Sequence, residues 1–462
     1  MFIELDKREK SKMAAMDASG ESITYGEIID FADEWYAKIN KRCLVLIVAN
    51  NTIGALAGYL ACMINRIVPL IVGNGIKKSA LDNLIETYHP NYIWASEDVE
   101  VTNDKKIYAK WGYCLLKTEL KQYALYDELS LLLTTSGSTG SPKLVRHSYN
   151  NLEAQARNIS AFFELTKADR PLISLPIHYT MGLSSINSHL YVGATLLLTD
   201  DSMLSPSFWK FILEQKASSI TGVPYSFEMM YRLRIYNKKL PDLKLLTQGG
   251  GRLSKEIQLK FAEYIKANGG KYIATYGQTE GSARMAYLPD EYAISKCGSI
   301  GKAIPNGRLY LIDDEGKVIE DPNIKGEMVY EGPNVTLGYA ERGEDLIKKD
   351  ENFGKLCTGD IAYKDADGMF YIVGRKKRFL KLYGHRVSLD ECEQLIKTKY
   401  AIECACAGDD KKLRIYIVDT NYEKAVKDYI LSQTELYADG IEVIILKDIP
   451  KSEAGKVLYS QL

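Results

Sequence analysis

Short β-rich runs alternate with helical stretches through most of the first 290 residues, and that alternation leaves few architectures open. The runs include LVLIVA (44–49), NYIWAS (91–96), LLLTT (131–135), PLISLP (171–176), ATLLLT (194–199), SSITGVP (218–224), LKLLTQ (243–248) and KYIATYG (271–277). Helical patterns such as SPSFWKFILEQK (205–216) and SKEIQLKFAEYIKANGG (254–270) lie between several of them, the second ending in glycines suited to a C-cap. Strands joined through helices can run side by side, so the alternation predicts an α/β domain with largely parallel sheets.

From about residue 298 the texture changes to strands and tight turns: LYLIDDEGKVI, KGEMVYEGPNVTLGY, KDADGMFYIVG. Asp-Glu-Gly and Ala-Asp-Gly are hairpin chemistry and predict a small antiparallel β subdomain over 298–374. RKKRFLKLYGHRVSLDECEQLI then supplies a polar break, a strand and a Ser-capped helix, opening a tail of mixed α and β patches. The expected division is a large N-terminal domain, 1–376, of mixed sheets flanked by helices, and a small α+β domain, 377–462. No internal repeat or low-complexity stretch stands out.

One segment tests this reading. CLVLIVANNTIGALAGYLACMIN (43–65) carries no formal charge and approaches membrane-spanning length. Asn50, Asn51 and Thr52 interrupt it after LVLIV, so a buried strand followed by a helix starting near Thr52 is preferred to a membrane span. The N-terminus, MFIELDKREKSKMAAMD, is charged and lacks the apolar core of a secretory signal. A net charge of −1 over 462 residues indicates no nucleic-acid footprint. Eight cysteines without a CxxC or Cys/His cluster favour free thiols in the cytoplasm over a disulfide framework or a zinc site.

LLLTTSGSTGSPKLVRH (131–147) is a strand emptying into glycines and hydroxyls, followed by a lysine and an arginine. Such a loop concentrates small hydrogen-bond donors and can wrap a polyphosphate. It is not a Walker loop, because Pro142 separates Ser141 from Lys143 where GK[ST] is required. An ordinary surface turn remains the alternative. TYGQTEG (275–281) places an aromatic, a hydroxyl and a carboxylate together after another strand. Tyr276 could stack on a purine and Glu280 could bind Mg²⁺, though a plain strand-end turn has the same look. CTGD (357–360) offers Asp360 to ribose hydroxyls or as a simple cap. RKKR (375–378) could be a solvated basic face, and Lys456 a solvated lysine near the end of the chain.

In this order and spacing, the segments together resemble the adenylate-forming ligases: acyl-CoA synthetases, luciferase-like enzymes and peptide-synthetase adenylation domains. The resemblance runs through ITYGEI (23–28), TTSGSTGSPK, LPIHYTMGL (175–183), TQGGGRLS (247–254), TYGQTE, KGEMVYEGPNVTLGY (325–339), TGD, GRKKRFLKLYGHRV and SEAGK (452–456), essentially the whole chain. It implies a reaction in two halves, in which a carboxylate attacks the α-phosphorus of ATP and a thiol then displaces AMP. It also implies that Thr135, Ser136, Gly137, Ser138, Thr139, Gly140 and Lys143 line the pyrophosphate side. Gly250 and Gly251 would lie beside adenine and acyl group, Tyr276 and Gly277 at the base, and Thr279 at the α-phosphate. Glu280 would hold Mg²⁺, Asp360 with Arg375 would grip the ribose, and Lys456 would bridge α-phosphate and attacking carboxylate. The tail domain would rotate between the halves about Lys377, where many relatives have Asp. GGGRL departs from the family's usual GGAPL and puts Arg252 beside the acyl region, or pointing to solvent.

Amino-acid-activating relatives usually carry an Asp in the region of 175–190, and SLPIHYTMGLSSINSHL has none. The expected substrate is therefore an acid without an α-ammonium group, in a pocket including His178, Tyr179, Gly182 and Gly251. His178 could gate that channel or simply pack. The acceptor side is assigned to Lys381, Gly384 and Arg386, with CoA ahead of a carrier-protein phosphopantetheine. Two readings from other classes stand beside this one. A phosphotransferase would release ADP, and a catalytically silent ATP-binding relative would lack Lys456 or Glu280, both present here.

Overall fold

The computed structural model describes residues 1–99, 105–134, 143–376, 378–382, 385–409, 411–434, 436–451 and 455–462. Backbone proximity divides the chain into two compact units: Met1–Arg308 with Glu331–Leu356, and Leu309–Tyr330 with Cys357–Leu462.

The first unit contains two large sheets. A nine-stranded sheet has six parallel strands at its centre, in the order Lys271–Tyr276, Leu245–Gln248, Ser219–Gly222, Pro171–Ile173, Leu196–Leu198 and Met13–Asp17. Antiparallel strands close both edges, Ala286–Leu288 and Lys302–Ala303 on one side and Ser22–Thr24 on the other. An eight-stranded sheet places Leu129–Thr134, Val68–Gly73, Leu44–Ala49 and Tyr92–Ser96 in parallel at its centre. The α/β expectation holds, and each β-rich run quoted above contains a strand.

Residues 43–65 behave as the charge pattern and the Asn-Asn-Thr break require. Leu44–Ala49 is a fully buried strand and Ile53–Ile64 a separate helix. Alternate side chains of the strand serve two different cores. Val45, Ile47 and Ala49 join the interior shared by both sheets, while Leu44, Leu46 and Val48 pack outward against the helix Lys78–Tyr88. A strand with a period of two and two buried faces must be apolar throughout, which is why it imitates half a membrane span. Among the described residues no helix is long and apolar enough to cross a membrane.

Four helices, Tyr25–Ile39, Ile53–Ile64, Tyr149–Phe162 and Thr180–Tyr191, share the core between the sheets. The first begins where ITYGEI places a capping box. Glu27 N–H donates to Thr24 Oγ1 at 3.2 Å, and Thr24 N–H donates to Glu27 Oε2 at 2.8 Å.

The second unit holds the four-stranded sheet Arg308–Ile312, Gly326–Glu331, Lys355–Lys364, Phe370–Arg375. Both expected turns form: Asp313 N–H donates to Lys317 O at 2.9 Å, and Asp365 N–H to Met369 O at 2.9 Å. The hairpin Phe379–Leu382/His385–Ser388 follows, then helix Leu389–Tyr400, capped by Ser388 Oγ accepting from Glu391 N–H at 3.2 Å. A three-stranded sheet, Cys404–Asp409, Lys412–Ile417 and Ile441–Ile445, and helix Glu423–Gln433 complete its core.

The RKKR segment is not a uniformly solvated face. Arg378 is half-buried, pairing with Asp390 at 2.7 Å and Glu393 at 2.8 Å and donating to Cys406 O at 2.7 Å. Arg375 N–H donates to Asp390 Oδ2 at 2.9 Å, and Lys376 pairs with Glu327 at 2.7 Å. These bonds tie the end of the β-rich segment to the helix that follows.

Candidate functional site

The C-terminal edge of the parallel strands carries the expected constellation of the first unit. Leu245–Gln248 ends in Gly249–Gly251, and Lys271–Tyr276, its parallel neighbour, ends in Gly277-Gln278-Thr279-Glu280. Side chains at such an edge face outward from strands whose backbone is already satisfied, which is why sites collect there. Gln248 Nε2 donates to Gly251 O at 2.8 Å and shapes the glycine turn, while Gln278 Nε2 donates to Tyr276 Oη at 3.2 Å.

Gly277 has no substitute in this geometry. A Cβ there would lie 1.8 Å from Ala283 O, a backbone atom that cannot swing aside. We expect Gly277→Ala to lose about 3 kcal/mol or more of stability, read as a fall in the urea midpoint. An unchanged midpoint would contradict the tight return of 277 on 283. Gly182 is constrained in the same way, since its Cβ would lie 2.4 Å from Pro176 O. That packing seats the helix Thr180–Tyr191 against the LPIHY segment. Its first turn meets the site, with Thr180 Oγ1 3.0 Å from Thr279 Oγ1. Met181 lies beside the glycine turn, for a Cβ on Gly250 would be 2.9 Å from its Cε. His178 and Tyr179 are half-buried just before this helix, the His178 ring lying against Gly73. Arg252 is exposed.

Three residues distant in sequence converge next to Thr279. Glu280 Oε1 accepts from Tyr339 Oη at 2.7 Å, and Lys143 Nζ sits 3.6 Å from the Tyr339 ring centroid. Lys143 also pairs with Glu341 at 3.6 Å. Strand register produces this cluster: Gly338–Ala340 runs antiparallel to Leu144–Ser148, with Ala340 opposite Leu144 and Tyr339 opposite Val145. Burial first, and the Glu280 charge second, raise the Tyr339 hydroxyl above its ordinary pKa, so it remains a donor. The arginine of LVRH has a different task from Lys143. Arg146 is buried and donates to Tyr339 O at 2.9 Å and Leu337 O at 3.0 Å, with Glu351 as counter-charge. It fixes the strand that presents Tyr339. The phosphate-loop residues Thr135, Ser136, Gly137, Ser138, Thr139 and Gly140 lie outside the described residues, between Thr134 and Lys143.

Glu280 is a single carboxylate whose Oε2 takes no hydrogen bond among the described residues. Among them no cluster of three or more His, Cys, Asp or Glu could hold a metal ion by itself. That donor set suits Mg²⁺ shared with substrate phosphates rather than a protein cage.

In the second unit, Asp360 and Arg375 are direct cross-strand partners, with Nε 3.5 Å from Oδ1. Asp360 is buried and Arg375 largely exposed. Lys456 follows Gly455 in a loop closed by the bridge between Lys451 and Val457 and by Leu458 N–H donating to Pro450 O at 2.8 Å. Lys377 and Gly384 lie outside the described residues. Lys381 and Arg386 occupy opposed positions of the 379–388 hairpin.

Behind the site the interior is polar and basic. His147 and His189 are fully buried, and burial lowers their pKa values to about 3 and about 4. His147 Nδ1 lies 3.2 Å from Ser282 Oγ, and His189 Nδ1 lies 2.7 Å from Ser185 O. Both are neutral in the fold, whereas an unfolded histidine titrates near 6.5. Below that pH the unfolded chain binds protons that the fold refuses. Stability should therefore fall between about pH 6.5 and 4, by up to about 1.4 kcal/mol per pH unit for each histidine. Urea unfolding across that range measures it, and His189→Gln should flatten the slope; a slope unchanged in the variant would contradict the neutral assignment.

Two residues near the site escaped the sequence reading. Tyr339 ends the quoted KGEMVYEGPNVTLGY, but only strand pairing brings it to Glu280. Arg284, four residues beyond Glu280 in TEGSARMAYL, is buried instead of solvated, and a charge immediately before an apolar strand was the available signal.

The family described as AMP-binding enzyme matches residues 6–340. An oxalate–CoA ligase of Arabidopsis thaliana is 30% identical over 351 residues, which is 72% of this chain and 66% of that protein's own length. A 2-succinylbenzoate–CoA ligase of Oceanobacillus iheyensis is 23% identical over 98% of this chain and 96% of its own. Among solved structures, o-succinylbenzoate CoA synthetase (MenE) of Bacillus subtilis with the acyl-adenylate intermediate OSB-AMP superposes with a TM-score of 0.81. That match is 20% identical and covers 100% of this chain and 97% of that one. The same enzyme is known with ATP and magnesium, at a TM-score of 0.80.

Proposed function

The chain belongs to the AMP-binding enzyme family, and on that basis we propose that it is an AMP-forming acid–thiol ligase acting on a carboxylic acid, ATP and CoA. The observation that carries the proposal is the convergence of Thr279, Glu280, Tyr339 and Lys143 at the strand edge, beside the return strand of the Ser/Gly loop.

In the first half-reaction a carboxylate oxygen attacks the α-phosphorus, the bond from that phosphorus to the bridging oxygen breaks, and pyrophosphate leaves. In the second, a thiol attacks the acyl carbon and AMP departs with the oxygen contributed by the acid. No general base is needed in the first half, because a carboxylate is ionised at neutral pH. What the protein must supply is positioning and positive charge between two anions. Lys143 would hold the departing pyrophosphate together with the loop 135–140. Thr279 orients the α-phosphate and is itself held by Thr180. Tyr339 fixes the Glu280 carboxylate, and Mg²⁺ bound there would neutralise phosphate charge. Asp360 and Arg375 take the ribose, and Lys456 supplies the cation for the attack. The domain limits 1–376 and 377–462, with rotation at Lys377, belong to the same proposal.

His178, Tyr179, Gly182 and Gly251 border the acyl side, with Met181 next to them. The relatives are named as CoA ligases, which supports CoA over a carrier protein as acceptor, with Lys381, Gly384 and Arg386 on that side. Pyrophosphate release across a panel of acids, followed by a choice of CoA or holo carrier protein, tests this. Thioester formation with CoA is expected, and transfer to the carrier protein alone would overturn the acceptor.

A further inference from the structure

Arg284 is fully buried, with 1% of its surface exposed, and its charge has no carboxylate partner among the described residues. Its Nη1 donates to Ser184 Oγ, and its guanidinium carbon lies 5.2 Å from the centre of the Phe163 ring. Nε and Nη2 are buried and make no hydrogen bond among the described residues. Ser184 touches Arg284, and His189 lies within electrostatic reach of it, with the Asp169 charge also acting on His189. Ser184 is a hydroxyl, and His147 and His189 each keep an unpartnered buried Nε2. An arginine elsewhere in this same unit shows the ordinary arrangement. Arg146, equally buried, is surrounded by backbone carbonyls and has Glu351 as counter-ion.

A buried, unpaired guanidinium costs several kcal/mol unless something neutralises it. Its location says what could. Ser184 lies one helical turn beyond Thr180, on the same face of the Thr180–Tyr191 helix, and Thr180 touches Thr279. Arg284 itself is four residues past Glu280. Four residues of helix separate Thr180 from Ser184, a rise of about 6 Å, so the hydroxyl that Arg284 touches stands about one turn from the Thr180–Thr279 contact. That separation matches two anionic groups on one small molecule, one reacting at Thr279 and the other held at depth.

We propose that Arg284, held in place by Ser184, whose hydroxyl accepts from Nη1 and donates to Met181 O at 2.8 Å, receives a second anionic group of the acid substrate, so that the enzyme selects dicarboxylic over monocarboxylic acids. The inference rests on the ligase reading for the identity of the first carboxylate. Guanidinium suits the second because its fork can take a carboxylate on two nitrogens, and here two are open. Oxalate and 2-succinylbenzoate, the acids in the relatives' names, each carry two carboxyl groups. The neutral Ser185, Asn187 and Ser188 on the same buried helix add no competing anion.

The test compares binding without turnover. Calorimetric affinities are measured for short straight-chain dicarboxylates and 2-succinylbenzoate, each against its half methyl ester, on the parent and on Arg284→Met and Arg284→Lys. The parent should bind its best diacid about a hundredfold more tightly than the half ester. Arg284→Met should abolish that ratio, and Arg284→Lys should retain part of it. Thermal unfolding of unliganded Arg284→Met should be no lower than the parent's, because an unpaired buried charge has been replaced by an apolar chain of similar shape. A purely structural arginine would instead lower it. Equal affinity for diacid and half ester in the parent overturns the proposal, whether or not the methionine variant folds. So does a ratio that survives Arg284→Met. Acid-dependent ATP–pyrophosphate exchange on the same panel separates the two claims: binding selectivity without any exchange refutes the ligase reading and leaves the Arg284 site standing.

Discussion

Lys456→Ala should slow acid-dependent pyrophosphate release by about 10²- to 10³-fold, while thiolysis of a supplied acyl-adenylate continues near the parental rate. The reason is electrostatic. Bringing a carboxylate to a phosphate that already bears negative charge concentrates like charge in the transition state, and a cation placed between them is worth most at that moment. In the second half-reaction the attacking group is a thiol and the charge develops elsewhere, so the same lysine has little left to do. The turn around Lys456 is held by backbone groups, the Lys451–Val457 bridge and the Leu458–Pro450 hydrogen bond, none of which uses the lysine side chain. Stopped-flow pyrophosphate detection and a separate thiolysis assay measure the two halves. Adenylation at the parental rate in the variant would remove Lys456 from the chemistry.

Glu280→Gln comes second in size, with an expected loss of about 10²-fold in kcat/KM for ATP. Glutamine keeps an oxygen to accept from Tyr339 at the 2.7 Å now observed, so the hydrogen bond that fixes the side chain survives and only the charge is removed. Raised Mg²⁺ should restore part of the rate, and the thermal midpoint should stay put. A variant with parental activity at low Mg²⁺ would show that Glu280 orients Tyr339 and holds no metal.

Local chemistry made much of the fold legible. Strand–helix alternation gave the parallel sheets, Asp-Glu-Gly and Ala-Asp-Gly gave the hairpins, and Thr24, Ser254 and Ser388 mark helix starts. Asn50-Asn51-Thr52 was enough to divide an uncharged run into a strand and a helix. Long-range register was not legible. Tyr339 reaches Glu280 only because Gly338–Ala340 pairs with Leu144–Ser148 across nearly two hundred residues of chain, a pairing no local pattern encodes. Charge identity misleads for the same reason. Arg378 and Arg284 look like surface residues in sequence, yet one is half-buried against Asp390 and Glu393 and the other is fully buried with no counter-ion among the described residues. The motif at 275–280 stands out in the sequence because strand-end turns present short, chemically dense motifs. Asp360 and Arg375 are fifteen residues apart yet directly opposite, since the hairpin between them closes at residues 365–369.

The central claim is that the acid attacks the α-phosphorus and leaves an oxygen on AMP. A carboxylic acid labelled with ¹⁸O in its carboxyl group, turned over with ATP and CoA, tests this most directly by mass spectrometry of the nucleotide. Label in AMP, with unlabelled pyrophosphate as the other product, is the expected result. Formation of ADP with label in inorganic phosphate would mean attack at the γ-phosphorus and would contradict the account.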